Sequence, residues 1–356
     1  MLDVLLFGAT GYTGRLAAAA LARRGARFAV AGRDAARLEA VARAYGAVDA
    51  RVASVGDPEG LARAVRDARV LVSCVGPFAE LGDTAVAAAL AAGVHYVDCS
   101  GEASFVARLI DRYDAAARGA GLALAPAMAF DEVPADVAAT LAAAEMADAE
   151  VVLTYALPGR ATRGTIRSAA RSLARPGSWL EDGRRVGIRT GAHTRWAPMP
   201  PPLGPRRSIS APMPESHLAT LHLDLKSVTT WLTVGPLRRR ALLLGLPALR
   251  AARRVAPARR ALESALALGV GHPDEDGGRP ARWTVLAEAR GPGARRSVVL
   301  TGTEPYRLSA QLLAFGSLAL AAEGHGRRGV LSPVQAAGLE PLRKELTARG
   351  VTITIY

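Results

Sequence analysis

The stretch Leu5–Gly14, with the sequence LLFGATGYTG, carries glycine at every third position from Gly8 to Gly14, between an apolar run and an alanine-rich run. The apolar run over residues 2–7 has the length of a buried strand, and residues 11–24 have the composition of a helix. Backbone N–H groups at the start of a helix bind anions, and glycine lets the chain approach them closely. The stretch therefore predicts either a phosphate-binding turn or an ordinary link between a strand and a helix.

The first third of the chain continues as an alternation of strand-like and helical segments that are joined by short links. Such an alternation is typical of parallel strands connected by right-handed crossovers. The strand-like runs are almost continuously apolar, which indicates strands buried on both faces. We therefore expect an α/β fold with a Rossmann-type doubly wound parallel sheet. The predicted strands cover residues 2–7, 27–31, 48–53, 70–75, 94–99 and 122–127.

The glycine turn follows the first of these strands, which is the position of the pyrophosphate site in a dinucleotide-binding sheet. Its spacing is G-x-x-G-x-x-G rather than the commonest G-x-G-x-x-G. The interpretation as a pyrophosphate site therefore depends on the position of the turn after the first predicted strand. Ligands of such sheets bind beyond the carboxyl ends of the strands, so we expect the loop after the fourth strand to pass beside the nicotinamide ribose. The predicted cofactor-binding residues of these two segments are Gly8, Thr10, Gly11, Tyr12, Thr13, Gly14, Val75, Gly76, Pro77 and Phe78.

The end of the second strand, Ala31-Gly32-Arg33-Asp34, bears on the type of dinucleotide. An acid at this position binds the ribose hydroxyls of NAD, whereas an arginine accommodates the 2′-phosphate of NADP. Arg33 offers a planar guanidinium that suits a phosphate, and Asp34 is either the ribose acid or the N-cap of the next helix. We favour NADP(H) over NAD(H), with Asp34 as a cap.

Composition argues against several other classes of function. The net charge is +13, but all except two of the 45 basic residues are arginines that are spread along the chain, so we expect no nucleic-acid partner. The two cysteines, Cys74 and Cys99, lack a metal-binding spacing, so we expect no metal site and buried, reduced thiols. We expect a cytoplasmic protein, because neither a cationic leader nor an apolar run of membrane-spanning length is recognised.

The remainder of the chain predicts a second domain with an α+β composition. A strand is expected over residues 217–225, a hairpin over 283–302 and a last helix over 333–349. The predicted domains are a dinucleotide-binding domain (1–128), an α+β substrate and dimerisation domain (129–320), and a C-terminal segment (321–356) that returns to the first domain.

Residues 237–268 form a basic segment in which arginines and leucines alternate at roughly helical spacing, interrupted by Pro247 and Pro257. A basic amphipathic helix of this kind is typical of a protein that lies on an anionic membrane surface. The same pattern is also typical of a lid or a dimer contact with a solvated arginine face. Both hypotheses remain open from the sequence.

Further motifs follow the strands and recur near the C-terminus. They are H-Y-V-D-C-S-G-E at 95–102, F-D-E-V-P-A-D at 130–136, E-P-Y-R-L-S-A at 304–310 and G-V-L-S-P at 329–333. Together with G-A-T-G-Y-T-G and A-G-R, these motifs resemble those of the saccharopine dehydrogenase-like oxidoreductases, a group that includes the trans-acting enoyl reductases of polyketide lipid assembly. The resemblance implies an NADP(H)-dependent oxidoreductase that reduces a C=N or C=C bond.

Three positions depart from the family pattern. Ser54 stands where the family has an acid near the adenine, and we predict that Ser54 also binds the cofactor. Ala129 replaces the glycine of a G-F-D motif, and Arg163 replaces the first glycine of a G-G-T motif. These changes affect the expected substrate more than the expected cofactor.

The acids that follow the fifth and sixth strands are the candidates for catalysis. Hydride transfer belongs mainly to the cofactor, so the protein must supply a proton or an electrostatic partner. Glu102 and Asp131 are the predicted catalytic residues, and Asp98 lies nearby in sequence. Each has a structural alternative: Asp98 caps a turn, Glu102 begins the next helix, and Asp131 is a hinge acid.

The sequence thus predicts an NADP(H)-dependent reductase that acts on a small-molecule or carrier-bound substrate. One alternative is a trans-acting enoyl reductase whose basic surface docks an acidic carrier protein. The other is a non-catalytic NADP(H)-binding sensor.

Overall fold

The computed structural model describes residues 1–157, 161–252, 255 and 281–356. The chain divides into two compact units. The first contains Met1–Gly101, Phe105–Val133 and Pro305–Lys344, and the second contains Glu102–Ser104, Pro134–Glu304 and Glu345–Tyr356. The boundaries expected from the sequence lie at residues 128/129 and 320/321. In the structure, the first unit also includes Pro305–Lys344, and the residues after Lys344 belong to the second unit.

The first unit is built on a seven-stranded sheet in which all neighbouring strands are parallel. Their order across the sheet is Gly329–Val330, Ala123–Ala125, His95–Asp98, Ala68–Ser73, Leu2–Phe7, Phe28–Gly32 and Ala50–Val52. Apart from the edge strand Ala50–Val52, its strands are almost wholly buried because helices cover both faces. The elements up to residue 142 are β1 (Leu2–Phe7), α1 (Tyr12–Arg23), β2 (Phe28–Gly32), α2 (Ala35–Tyr45), β3 (Ala50–Val52), α3 (Pro58–Val65), β4 (Ala68–Ser73), α4 (Phe78–Ala92), β5 (His95–Asp98), α5 (Ala103–Gly119), β6 (Ala123–Ala125) and α6 (Glu132–Ala142).

The remaining elements include the second sheet, two further parts of the first unit and the terminal strand. They are β7 (Ala149–Ala156), α7 (Arg163–Ala174), β8 (Gly177–Glu181), β9 (Arg184–Ile188), β10 (Thr194–Ala197), β11 (Arg206–Ser210), α8 (Glu215–Leu218), β12 (Leu225–Thr233), α9 (Pro236–Ala252), β13 (Trp283–Gly291), β14 (Ala294–Gly302), α10 (Pro305–Ala321), β15 (Gly329–Val330), α11 (Pro333–Ala337), α12 (Leu339–Ala348) and β16 (Thr352–Ile355).

Helix α10 belongs to the first unit and packs against α1 and against strands β1, β4 and β5. Thirteen of its seventeen residues are buried, as expected for a helix that is apolar on most sides and lies in a core. Gly316 leaves the space that the side chain of Met128 fills, since a Cβ atom at Gly316 would overlap Met128. The strand β15 then extends the sheet beside β6.

The second unit contains a nine-stranded sheet whose main path is β10-β11-β12-β7-β13-β14-β16. Strands β12 and β7 are parallel, and the other neighbours on this path are antiparallel. The hairpin of β8 and β9 joins the sheet through β12. The hairpin predicted over residues 283–302 is present as β13 and β14.

The strand predicted over residues 217–225 is wrong. The chain there forms helix α8 and a short 3-10 helix over Ala219–Leu221, and β12 begins only at Leu225. Pro214 explains the difference, because its carbonyl oxygen accepts hydrogen bonds from the N–H groups of His217 and Leu218 and so begins a helical turn. The apolar alternation on which the prediction relied belongs to this helical turn and the loop that follows it.

Helix α4 begins at Phe78, because the carbonyl of Pro77 accepts hydrogen bonds from the N–H groups of Glu80 and Leu81. The helix expected over residues 333–349 is divided at Gly338, which has a φ of +84°.

Helix α9 covers the first half of the basic segment and continues through Pro247 to Ala252. The rest of residues 237–268, apart from Val255, lies outside the described residues. Within the part of the chain that the structure describes, no helix combines the length and apolarity needed to cross a membrane.

Candidate functional site

The glycine turn after β1 is tight because backbone occupies the space that side chains would need. Gly8 has a φ of +86°, and a Cβ atom there would lie 2.8 Å from Cγ2 of Val75. A Cβ atom at Gly14 would overlap the carbonyl oxygen of Gly8 and lie 2.8 Å from Cα of Ala9. Glycine is therefore required at both positions, since neither a left-handed φ nor a contact with backbone tolerates a side chain.

Helix α1 starts directly in this turn. The N–H of Gly11 donates to the carbonyl of Gly8 at 3.1 Å, and no side chain caps the helix at Gly11. The first turn of the helix contains no acidic residue. The first N–H groups of a helix have no acceptors within the helix, so this end fits the pyrophosphate of a dinucleotide.

Arg33 is exposed immediately after β2, and Asp34 is the N-cap of α2. The Oδ1 atom of Asp34 accepts a hydrogen bond from the N–H of Arg37 at 3.1 Å. The interpretation of Asp34 as a cap is thus confirmed. Ser54 has a local contact, because its Oγ accepts from the N–H of Gly56 at 3.1 Å.

The loop after β4 meets the glycine turn through Val75, which faces Gly8. Phe78, by contrast, is buried in the first turn of α4, where its ring centroid lies 5.7 Å from that of Phe105. Tyr12 packs edge-on against Tyr306 of α10, with the ring centroids 5.4 Å apart. The structure therefore brings Gly8, Val75 and Tyr12 to the same end of the sheet, whereas Phe78 packs into the core.

Asp98 has a structural role at the end of β5. Its Oδ1 atom accepts hydrogen bonds from the N–H groups of Ser100 at 2.8 Å and of Ala127 at 3.0 Å. The carboxylate thereby links the loop after β5 to the loop after β6. The interpretation of Asp98 as a residue that fixes a turn fits these contacts.

Asp131 is half-buried at the start of α6 and is hydrogen-bonded to its neighbour Glu132. Burial raises the pKa of Asp131 above its ordinary value, although the hydrogen bond with Glu132 opposes that shift. Glu132 is buried, and one of its carboxylate oxygens would be 2.6 Å from a Cβ atom at Gly101. The two adjacent carboxyl groups can therefore hold a proton between them.

Helix α10 positions the segment that carries this carboxyl pair. The N–H of Phe130 donates to Oγ of Ser309 at 3.0 Å, and that hydroxyl donates to the carbonyl of Pro305 at 3.0 Å. Sequence reasoning missed Glu132, because an acid in the first turn of a helix is ordinarily explained by the helix dipole.

Glu102 is buried within the second unit, where its Oε1 atom accepts a hydrogen bond from Oγ of Ser168 on α7 at 3.1 Å. Glu102 immediately precedes α5, as its structural alternative expects. The structure thus holds Glu102 in a defined position by a neutral hydroxyl donor.

A second polar group in the same unit was not expected from the sequence. Arg195 on β10 forms an ion pair with Glu288 on β13 at 2.7 Å, and its guanidinium lies 5.9 Å from the ring centre of Trp231. It also donates to Oγ1 of Thr154 at 3.5 Å. These residues come from strands that are distant in sequence, so no motif indicates them. Among the described residues, no group of three or more His, Cys, Asp or Glu side chains is arranged to hold a metal ion.

Comparisons with known proteins bear on this site. Residues 4–154 match the family described as the saccharopine dehydrogenase NADP binding domain. A trans-acting enoyl reductase of Mycobacterium ulcerans is 32% identical over 198 residues, which cover 52% of this chain and 47% of the relative. A Mycobacterium tuberculosis protein, provisionally named for the same activity, is 40% identical over 141 residues, which cover 38% of this chain and 34% of the relative.

A solved structure agrees over the whole chain. The apo form of saccharopine dehydrogenase (L-Glu forming) from Saccharomyces cerevisiae has a TM-score of 0.65, with 13% identity and coverage of 100% of this chain and 99% of that one. The expected α/β fold, with a Rossmann-type sheet and a second α+β domain, is confirmed. The expectation of an NADP-binding domain is also confirmed. The matches to the curated relatives span only about a third to a half of those proteins.

Proposed function

We propose that this chain is an NADP(H)-dependent reductase that delivers hydride to a C=C or C=N bond, because residues 4–154 match the saccharopine dehydrogenase NADP binding domain. The observation that carries the proposal is the glycine turn, in which Gly8 and Gly14 have no room for a side chain at the uncapped start of α1. This geometry fits a pyrophosphate.

In this proposal, different residues around the turn bind different parts of the cofactor. The backbone from Gly8 to Gly14 holds the pyrophosphate, and Arg33 binds the 2′-phosphate through its exposed guanidinium. The loop that begins at Val75 lies beside the nicotinamide ribose. When bound, NADP(H) supplies the hydride.

Asp131 is the proposed general acid. Reduction of a polarised double bond needs a proton as well as a hydride, and a carboxyl group with a raised pKa retains its proton to a higher pH than an ordinary aspartate does. The hydrogen bond to the buried Glu132 orients the carboxyl group of Asp131. Glu102, which accepts from Ser168, is the competing candidate.

An α,β-unsaturated thioester is the substrate class that we place first. The curated relatives that match 38% and 52% of the chain are named for enoyl reduction. The likeness to saccharopine dehydrogenase, at 13% identity, shows the fold and gives no reason to prefer an imine.

The test is NADPH oxidation by the purified chain with a panel of enoyl thioesters and a matched panel of cyclic imines. Asp131→Asn should lower kcat by about 100-fold or more and leave the Kd for NADPH unchanged, since general acids contribute roughly that much. Glu102→Gln is the comparison variant, and Glu39→Gln on the exposed face of α2 is the control. A full loss in Glu102→Gln with normal turnover in Asp131→Asn would assign the acid to Glu102 instead. Tight NADPH binding with no turnover on any substrate would favour the sensor.

Helix α9 favours a carrier-bound form of that substrate. Leu237 and Leu244 are about four-fifths exposed, and Arg238 and Arg240 lie exposed between them, with no acidic residue in Pro236–Ala252. A surface that is both basic and apolar complements an acidic helical carrier protein. This surface is the proposed docking site for the carrier.

Charge reversal of this surface tests the docking site. The variant with both Arg238→Glu and Arg240→Glu should raise KM for a carrier-bound enoyl substrate about tenfold while KM for the coenzyme A thioester stays unchanged. Arg207→Glu, at another exposed position, is the control. Equal KM values for both substrate forms, together with salt-sensitive sedimentation on anionic vesicles, would assign the surface to a membrane instead.

A further inference from the structure

Cys74 and Cys99 lie side by side at the carboxyl edge of the first sheet. Each follows directly on one of two parallel neighbouring strands, β4 and β5, whose last paired residues are Ser73 and Asp98. Residues in register on parallel strands direct their side chains to the same face of the sheet, and such strands are about 4.8 Å apart. Both cysteines are half-buried residues, whereas the sequence led us to expect fully buried ones.

The two thiols are also in contact. A hydrogen bond with Cys74 and burial both raise the pKa of Cys99 well above its ordinary value. Cys99 therefore ionises less readily than an ordinary cysteine. The strand spacing falls inside the Cα–Cα range of about 4.4–6.8 Å that a disulfide requires.

We propose that Cys74 and Cys99 are a redox-active dithiol, which closes to a disulfide by exchange with a small-molecule disulfide and thereby weakens NADP(H) binding. Cys74 loses its proton to solvent and attacks one sulfur of oxidised glutathione, which forms a mixed disulfide and releases one glutathione. Cys99 then loses its proton to solvent and attacks the sulfur of Cys74, which forms the Cys74–Cys99 bond and releases the second glutathione. The two protein thiols are oxidised, and one glutathione disulfide is reduced to two thiols.

The link to the cofactor runs through the loop after β4. The N–H of Cys74 donates to the carbonyl of Phe7 at 2.9 Å, and Phe7 directly precedes Gly8. A Cβ atom at Gly8 would lie 3.2 Å from the carbonyl carbon of Cys74 as well as 2.8 Å from Val75. Contraction of a sulfur–sulfur contact to about 2.05 Å therefore displaces backbone that packs without a gap against the glycine turn. This part of the inference rests on the proposed cofactor site.

The first experiment follows the disulfide itself and is independent of cofactor binding. The chain has only these two cysteines, so alkylation and intact-protein mass spectrometry give a complete count. The reduced protein should take up two alkyl groups. After incubation with oxidised glutathione, the monomer should take up none and be lighter than the reduced form by two hydrogen atoms. Cys99→Ser should stop at one bound glutathione, and Cys74→Ser should react more slowly than Cys99→Ser.

The second experiment measures the consequence for the cofactor. The Kd for NADPH should rise about tenfold in the oxidised protein and return to its starting value after dithiothreitol, a difference that corresponds to about 1.4 kcal/mol. Saturating NADPH should slow disulfide formation, and Cys74→Ser should bind NADPH equally well with and without glutathione disulfide.

The outcomes separate the two parts of the proposal. Two alkylated thiols after oxidation, or only mixed glutathione adducts in the wild type, would overturn the dithiol. A complete disulfide with an unchanged Kd for NADPH would overturn the coupling to the cofactor. If the reduced protein binds no NADPH, the proposed cofactor site fails while the disulfide measurement still stands.

Discussion

Replacement of Gly14 by alanine is the sharpest probe of the glycine turn. The added Cβ atom would overlap the carbonyl oxygen of Gly8 and lie 2.8 Å from Cα of Ala9, whereas ordinary van der Waals contact begins near 3.4 Å. Both neighbours are backbone, so no rotation of a side chain relieves the contact. The turn and helix α1 must therefore separate by about 0.6 Å or more.

Two effects of opposite sign set the change in stability. Overpacking of a tight site costs about 1–3 kcal/mol, and the better helix propensity of alanine returns up to about 1 kcal/mol. We expect a net loss of about 1–2 kcal/mol in the free energy of unfolding. The effect on binding is larger, because the separation misaligns N–H groups that each contribute about 1.5–3 kcal/mol when they bind a charged acceptor. Loss of one such bond raises the Kd for NADPH by about 10- to 100-fold.

Gly25→Ala is the matched control, because Gly25 follows α1 with a φ of +67° and a Cβ atom there meets no atom within 4 Å. Its left-handed backbone costs alanine about 1–2 kcal/mol, so both variants lose similar stability. Urea denaturation measures that loss, and fluorescence titration measures the Kd for NADPH. Only Gly14→Ala should bind NADPH more weakly. A folded Gly14→Ala protein with the wild-type Kd, or equal weakening in Gly25→Ala, would show that the turn does not hold the cofactor.

Three further predictions concern charge. Arg33→Ala should raise the Kd for NADPH by about tenfold or more and leave that for NADH unchanged, with Arg37→Ala as the control; equal effects on both cofactors would contradict the NADP assignment. Burial raises the pKa of Asp131, so its contribution to stability is present below the ordinary pKa of an aspartate and is lost as the pH rises through its folded pKa. As the pH rises through that range, the free energy of unfolding of Asp131→Asn should therefore increase relative to that of the wild type. If urea denaturation gives the two proteins the same pH dependence of that free energy, the prediction is contradicted. Burial, with nearby positive charge, lowers the pKa of His95 to about 4. The free energy of unfolding should therefore fall as the pH drops from about 6.5 to about 4. A His95→Asn variant whose free energy of unfolding falls just as steeply would exclude this histidine as the cause.

The first sheet was predictable because its strands are continuous apolar runs of strand length with a glycine or a helix at each end. A strand that is buried on both faces is apolar at nearly every position, so it is recognised as a continuous apolar run. Residues 217–225 show the opposite case, since their short alternating run fits a strand and a helical turn equally well until Pro214 is placed in space.

Long-range placement was less accessible to sequence reasoning. The membership of helix Pro305–Ala321 in the first unit depends on contacts with α1 and with strands made much earlier in the chain. Its buried surface on most sides is the signal that could have indicated a core position.

The candidate site shows the same limit. The glycine turn is local, so its spacing and its place in the alternation were enough to predict it. The partnership of Asp131 with Glu132, and that of Arg195 with Glu288, depend on burial and on strand neighbours that spacing does not reveal.

The interrupted course of the first unit has a consequence for how the protein is made. A chain emerging from the ribosome completes strands β1–β6 by Ala125, yet α10, which packs against β1, β4 and β5, begins only at Pro305. The nascent sheet must therefore wait, with an apolar face exposed, while most of the second unit is synthesised, which is a state that favours aggregation or chaperone capture. A fragment that ends at Val133 should consequently be insoluble when it is produced alone, and co-expression of Pro305–Lys344 as a separate piece should restore its solubility.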